Sequence, residues 1–504
     1  MKTFSLILFF LNLSNSYSQD SFYETNQNKI NKDEIVAEVD TIKITAEEFY
    51  YNYEFGPAFP KRKSNSKETH LNYIINEKLL ALEGYENGSI EQDYAKGLFN
   101  DIQSDLAAEE LFRQELLQKV EIKENEIGKV IEKKLIEYEV RWLYSDSQRA
   151  IKYYLEQLKN SFPFDSLFYS QINDSVFIDD RQMKSSLYNI YIKNPVLAKI
   201  LDTLKAGNNS APIHTDDGWY IIRIDNIWEN LITNETEQNK LRNESIEALT
   251  KSKMDILSDQ YVNSLFANEN PIIKRDAFNI LRSYLGKIVL TPEKYSEWEL
   301  DKKLDTALSN LTLKRGEKYP GISLVVGINN NFSLDEFIIW YRNRDQYVKF
   351  LKDDLINFSK SLENLVWLMV RDKLLTKTAI EKGYDKTDWV KKQSGWWRDK
   401  ISYSVYRNEL ANSITLNSEE VSSLKEKKKS QPEILSEKLS EKILHKVLEL
   451  KQKYKVILNK DALDKIKVSS EDDEKAIDMY LVKRGSLIPR LVHPSIDNDW
   501  ASWE

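Results

Sequence analysis

Imidazoles and thiols carry most acid–base, nucleophilic and metal chemistry near neutral pH, and this sequence has almost none. It contains no cysteine and four histidines, His70, His214, His445 and His493. Thiol catalysis, disulfides and thiolate metal sites are thereby excluded. No two histidines stand at i,i+3 or i,i+4, the spacing that brings two imidazoles to one helix face, so neither a metal nor a cofactor is expected. Asp179 and Asp180 form an acidic pair within "NDSVFIDDRQMK". Adjacent short polar side chains in that setting read as a turn.

His214 lies in "APIHTDDGWYIIRIDNI", residues 211–227, which reads as a tight turn followed by a strand. Its imidazole precedes the turn instead of lying on the strand. An earlier segment, "YEVRWLY", also alternates. Period-two alternation puts Tyr138, Val140, Trp142 and Tyr144 on one face of the first strand, and Tyr220, Ile222 and Ile224 on one face of the last. Trp142 and Tyr220 therefore point inward among apolar neighbours. "DSQRAIKYYLEQLKN" between them has helical spacing, so residues 135–229 read as an α/β domain. Elsewhere, Trp396 and Trp397 in "GWWRDK", with Tyr261 and Phe266 in "SDQYVNSLF", are candidates for binding extended polypeptide. Aromatic rings present much contact area at little entropic cost, although a place in the cores of long helices is the competing role.

The elements that must position these residues form an internal repeat. "VAEVDTIKITAEEF" (36–49) and "SLVVGINNNFSLDEF" (323–337) each read as a strand pair entering a helix, with Thr45 and Ser333 three residues before Glu48 and Glu336. That spacing reciprocally satisfies the free amides of a helix start. "INEKLLALEGYENG" (75–88) matches "VRDKLLTKTAIEKG" (370–383), and "FRQELLQKVEIKENEI" (112–127) matches "YRNELANSITLNSEEV" (406–421). "IIKRDAFNI" (272–280) echoes "ILNKDALDK" (457–465). Four matches in one order indicate duplication.

Copy one carries the α/β insert between its last two segments, whereas copy two has only a charged run that includes "KEKKK" (425–429). The expected layout is helical module one at 36–134 plus 230–285, the insert at 135–229, and a linker at 286–322. Module two follows at 323–430 plus 431–470, then a C-terminal tail at 471–504. "SDQYVNSLF" is expected to complete module one and "HKVLELKQKYKVIL" (445–458) module two. The fold class is α+β, mainly helical.

With 504 residues, 41% hydrophobic and 30% charged, the chain has room for about three domains. Lysines and arginines number 72 against 80 acids, interleaved to a net charge of −8, so no nucleic-acid partner is expected. The opening "MKTFSLILFFLNLSNSYS" has a lysine, an apolar run too short to span a bilayer, and small residues near its end. It reads as a secretory signal peptide, residues 1–18, cut before Gln19. No later apolar run approaches the ~18 residues of a membrane span. Without cysteine, a lipoprotein anchor is excluded.

These features, and above all "LKAGNNSAPIHTDDGWYIIRIDNI" (204–227), resemble the periplasmic SurA/PpiC-type chaperones, in which a parvulin peptidyl-prolyl isomerase domain is inserted in a helical module. The resemblance implies two SurA-N-like helical modules and one parvulin-like α/β domain. It places the family's two catalytic histidines at Trp142 and Tyr220, and the family's Asp-bearing turn has no counterpart here, so a degenerate site without catalytic residues is expected. The implied function is ATP-independent chaperoning of unfolded outer-membrane or exported polypeptides. The alternatives are an accessory subunit of an outer-membrane assembly or secretion complex, and an active peptidyl-prolyl isomerase.

Overall fold

The computed structural model describes Asn26 and residues 30–503, apart from 216, 233, 316–320, 417–429 and 470–486. The expected signal peptide and the run 425–429 lie outside the described residues. A hairpin of β1 (Ile35–Val39) and β2 (Ile42–Thr45) enters α1 (Ala46–Phe55), α2 (Ser66–Glu86) and α3 (Asp93–Glu115). Next come α4 (Glu124–Leu135), β3 (Ile136–Ser145), α5 (Gln148–Lys159), α6 (Phe164–Ser170) and β4 (Gln182–Ser186). They are followed by α7 (Leu187–Lys193), α8 (Pro195–Thr203), β5 (Ile213–Thr215) and β6 (Gly218–Glu229). The long α9 (Glu235–Glu269) leads to β7 (Ile272–Ile273), α10 (Arg275–Val289), α11 (Pro292–Glu297) and α12 (Leu300–Asn310). A second hairpin, β8 (Ser323–Val326) and β9 (Asn331–Ser333), enters α13 (Leu334–Arg342), α14 (Leu355–Glu381) and α15 (Asp388–Asn412). The described chain closes with α16 (Gln431–Lys453), β10 (Val456–Leu458), α17 (Lys460–Lys465) and α18 (Asp499–Ser502).

The molecule is mainly helical with small antiparallel sheets, an α+β fold. Among the described residues no helix is long and apolar enough to cross a membrane. The chain forms two compact units: one spans residues 120–253, and the other holds the segments on either side.

Within the larger unit, β1-β2-α1-α2-α3 and β8-β9-α13-α14-α15 run in the same order. Local chemistry is repeated as well. Thr45 Oγ1 accepts from the Glu48 amide at 3.2 Å, and Ser333 Oγ accepts from the Glu336 amide at 3.2 Å. Glu336 Oε2 returns a bond to the Ser333 amide at 2.8 Å, which completes a capping box. The turns after α2 and α14 each need a left-handed residue, and both use glycine, Gly88 at φ 71° and Gly383 at φ 79°.

Each hairpin is closed by a strand from the segment expected in the other module. β10 pairs with β1 (Val39 opposite Val456, Ala37 opposite Leu458), and β7 pairs with β8 (Val326 opposite Ile272, Val325 opposite Ile273). The residue after each closing strand makes the same bond to its hairpin: the Asn459 amide donates to Val36 O at 2.9 Å and the Lys274 amide to Leu324 O at 2.8 Å. The expectation that 445–458 completes module two is therefore corrected, since β10 closes the first hairpin; of 258–266, expected in module one, Tyr261 meets Phe112 of α3 whereas Phe266 lies at the margin of the second core.

Helices follow the same exchange. α2 packs on α15, and α3 packs on α14 as well as on α15. At the α2–α15 crossing Gly84 has no room for a side chain, since a β-carbon there would lie 2.6 Å from Ser402 Oγ and 2.8 Å from its carbonyl oxygen. One core joins Phe49, Tyr51, Tyr53 and Leu79 to Tyr403, Ile443, Leu450 and Leu463. A second joins Ile280, Leu281, Leu285, Ala307 and Leu308 to Leu324, Phe337, Val366 and Met369. Much of the expected 286–322 linker is thus structural, because α12 packs on α10 and buries Leu300, Ala307 and Leu308. The expected C-terminal tail is also largely packed: Leu487, Ile488, Arg490, Val492, His493, Ile496 and Trp500 are buried.

Candidate functional site

The smaller unit extends beyond the expected 135–229 on both sides. The basic and acidic side chains of α4 and of the first half of α9 interlock, with Arg242 to Glu124 at 2.6 Å, Lys253 to Glu126 at 2.8 Å and Lys134 to Glu244 at 3.2 Å. Residues 120–134, expected in the helical module, accordingly belong here.

Its sheet runs β4-β3-β6-β5 with every neighbouring pair antiparallel. Strand alternation divides the side chains as the sequence implies. Tyr138, Val140, Ile222 and Ile224 face Leu187 and Ile190 of α7 and Ala198 and Leu201 of α8, with Trp142, Met183, Ile213 and Tyr220 at the margin of that cluster. The opposite face carries Leu143 and Ile221 against Ile151, Phe164, Leu167 and Phe168 of α5 and α6. Asp225 is the extra residue where the β3–β6 register shifts, and it accepts from Arg141 at 2.5 and 2.8 Å.

On the first of these faces is a cavity of about 570 Å³, lined among others by Trp142, Met183, Val196, Leu197, Ile213 and Tyr220. The structure thus brings Trp142 and Tyr220 into one apolar recess. His214 also borders the cavity, but its side chain is exposed and its ring lies 4.4 Å from that of Trp219.

A polar cluster occupies one part of the lining. Tyr220 OH donates to Asp217 Oδ2 and Thr215 Oγ1 to Asp217 Oδ1, both at 2.5 Å, while Tyr144 OH donates to the Asp217 carbonyl oxygen at 2.5 Å. The Thr215 and Tyr220 hydroxyls hold the Asp217 carboxyl below the usual aspartate range. Burial, and next the bond to Asp217, pushes the Tyr220 hydroxyl up to about 12. Tyr220 is therefore a neutral phenol near neutral pH, committed to its own turn. Sequence reasoning missed this cluster; the available signal was the "TDDG" turn, in which a short carboxylate sits within reach of a hydroxyl two residues before it.

The recess can hold an aliphatic or prolyl side chain away from water. Among the described lining residues neither strand position offers an imidazole for hydrogen bonding to a twisting amide. Asp179 and Asp180 lie in a helical turn, where Asp180 Oδ2 accepts from the Phe177 amide at 2.9 Å and Asp179 Oδ1 from Gln182 Nε2 at 2.9 Å.

The four aromatic candidates in the larger unit are not brought together in one cluster. Trp396 is buried in the first core and Trp397 lies beneath the Arg490 guanidinium, 5.6 Å from its ring centroid. Tyr261 meets Phe112 edge-on at 6.3 Å, and Phe266 meets Trp367 at 6.1 Å at the margin of the second core.

No protein-family profile matches the chain, and no curated protein matches it in sequence. Among solved structures it is similar to the peptidylprolyl isomerase PrsA of Bacillus anthracis, at 11% identity and a TM-score of 0.23, covering 60% of this chain and 99% of that one. The foldase protein PrsA of Streptococcus pneumoniae is similar at 10% identity and a TM-score of 0.22, covering 55% and 93%. PrsA of Bacillus subtilis is similar at 16% identity and a TM-score of 0.17, covering 45% and 93%.

Proposed function

We propose that this protein is an ATP-independent chaperone of exported polypeptides, acting in the periplasm, whose parvulin-like unit binds peptide without isomerising it. The observation that carries the reading is the recess of the smaller unit, in which an indole and an occupied phenol stand at the positions where the resemblance calls for two imidazoles. Rotation about an X-Pro bond must overcome a barrier of ~18–20 kcal/mol of amide resonance. An apolar slot alone can hold the prolyl ring, but it leaves the twisted amide without hydrogen-bonding partners. The helical unit, with its long α2, α3, α14 and α15, supplies the larger binding surface. Clients held by many weak contacts bind with micromolar affinity, about −8 kcal/mol. With a mixed-sign surface, the salt dependence is mild.

The test combines two assays on the purified chain. It is expected to suppress aggregation of a denatured outer-membrane protein without nucleotide, and to leave isomerisation of an X-Pro tetrapeptide at its uncatalysed rate. Replacing residues 120–253 by a Gly/Ser linker should preserve most of the suppression. Acceleration at an ordinary parvulin's rate would overturn the inactive-site reading. Absence of suppression, with one stoichiometric partner recovered on affinity purification, would favour an assembly subunit instead.

A further inference from the structure

Residues 487–503 belong to neither repeat, and both hairpins are already closed by β7 and β10 without them. The segment runs without regular secondary structure until α18 and is nonetheless buried along most of its length. Its side chains enter a groove built from α1, α2, α3 and α15. Ile488 sits among Ile102, Leu106, Val390 and Ile401. The His493 ring stacks on Tyr51 with centroids 3.9 Å apart.

The groove is polar in a directional way. At one end two acids of α3 receive a cation: Asp105 accepts from Arg490 Nε at 2.8 Å and Glu109 from Arg490 Nη2 at 2.6 Å. At the other end bases and hydroxyls of α15 receive an acid: Asp497 accepts from Lys400 Nζ at 2.9 Å and Tyr403 OH at 2.7 Å. Glu77 of α2 then accepts from the Asp497 amide at 2.8 Å and from Trp500 Nε1 at 3.1 Å. Backbone bonds are few, and specificity lies in the anchors, as in recognition of an extended peptide. Trp397, a candidate for binding polypeptide, lies under Arg490 in this arrangement.

We propose that residues 487–503 are an internal ligand. The groove is a binding site for extended polypeptide carrying a basic residue followed by an acidic and then an aromatic one, and the chain's own C-terminal segment occludes it. This deepens the chaperone reading and rests on it: the segment and a client segment compete for one site. Occlusion keeps an acid-lined, aromatic groove covered until a competing segment is present at high local concentration.

The experiment uses the full chain with a specific protease sequence substituted within residues 471–485, cleaved after folding. The probe is a fluorescein-labelled peptide of residues 485–504. It is expected to enter the cleaved protein and not the uncleaved one, and peptides with Arg490→Ala or Trp500→Ala should bind at least tenfold more weakly. Cleaved protein freed of the segment should suppress client aggregation at severalfold lower concentration, and the unlabelled peptide should reverse the gain.

A cleaved protein that never exchanges the segment, or one that loses its cooperative melt once the segment is removed, would make 487–503 part of the core and overturn the proposal. Uncleaved Trp500→Ala guards against mere misfolding: it should melt cooperatively and take up the labelled peptide, and a cooperative melt without uptake also counts against the proposal. The two readings separate cleanly. Peptide exchange without suppression by any form sinks the chaperone function and leaves the internal ligand standing; suppression by the uncleaved chain without exchange does the reverse.

Discussion

Tyr220 keeps its proton because two effects act in one direction: burial penalises the phenolate, and the Asp217 carboxylate beside it adds a hydrogen bond and a like charge. Its value in the folded chain, about 12, lies above the ordinary tyrosine value of about 10, so this contribution to stability is complete below about 10 and is lost as pH rises toward 12. Asp217→Asn removes the charge but keeps an acceptor. The Tyr220 titration, followed by ultraviolet difference absorbance against a Tyr220→Phe control, should move down toward 10, and an unchanged midpoint would mean that burial alone sets it. The position of Trp142 and Tyr220 on the inner face was legible in the sequence, because alternation with period two is a local property of a strand. The ring of hydrogen bonds around Asp217 was not, because it depends on how the β5–β6 turn folds back beside Tyr144 of a strand more than seventy residues earlier.

Helix contacts carry the larger unit, and two glycines on neighbouring helices separate packing from propensity. Gly84→Ala puts a methyl group against the Ser402 backbone, and overpacking of this kind costs about 1–3 kcal/mol. Gly97→Ala, within α3 and with nothing within 4 Å of a β-carbon, should stabilise by up to ~1 kcal/mol through helix propensity. Thermal melts of the two variants should therefore shift in opposite directions; a stabilised Gly84→Ala would contradict the close α2–α15 crossing. Helix starts were readable from Thr45, Ser333 and their glutamates. The packing of the 286–322 segment is not legible in the sequence, because its buried stripe, Leu300, Ala307 and Leu308, is narrow and otherwise surrounded by charge. Such a stripe reads as core only once α10 is seen against it.

The exchange of closing strands governs the molecule as a whole. Cutting the chain within residues 316–320 leaves one fragment with β1, β2 and β7 and another with β8, β9 and β10, so that each hairpin is separated from the strand that closes it. Expressed alone, the second fragment should lack a cooperative melt and the first should keep only the melt of residues 120–253, each exposing an unpaired strand edge to aggregation. Coexpressed, the two should purify as a 1:1 complex with the melting behaviour of the intact chain. Two independently folded, non-associating fragments would show that each copy closes on itself.

The sequence by itself determined what depends on near neighbours: the helix caps, and the strand faces that carry Trp142 and Tyr220. These follow from periods of two and 3.6 residues and from side chains that reach only a few positions along the chain. Only the tertiary structure decided which closing strand meets which hairpin, which helices flank the insert, and where the last residues lie. Segments 272–280 and 457–465 carry similar patterns, so neither segment alone reveals which hairpin it meets. The burial of Arg490 and Trp500 depends on acids hundreds of residues away, at Asp105 and Glu77, which come together only when α2, α3 and α15 pack.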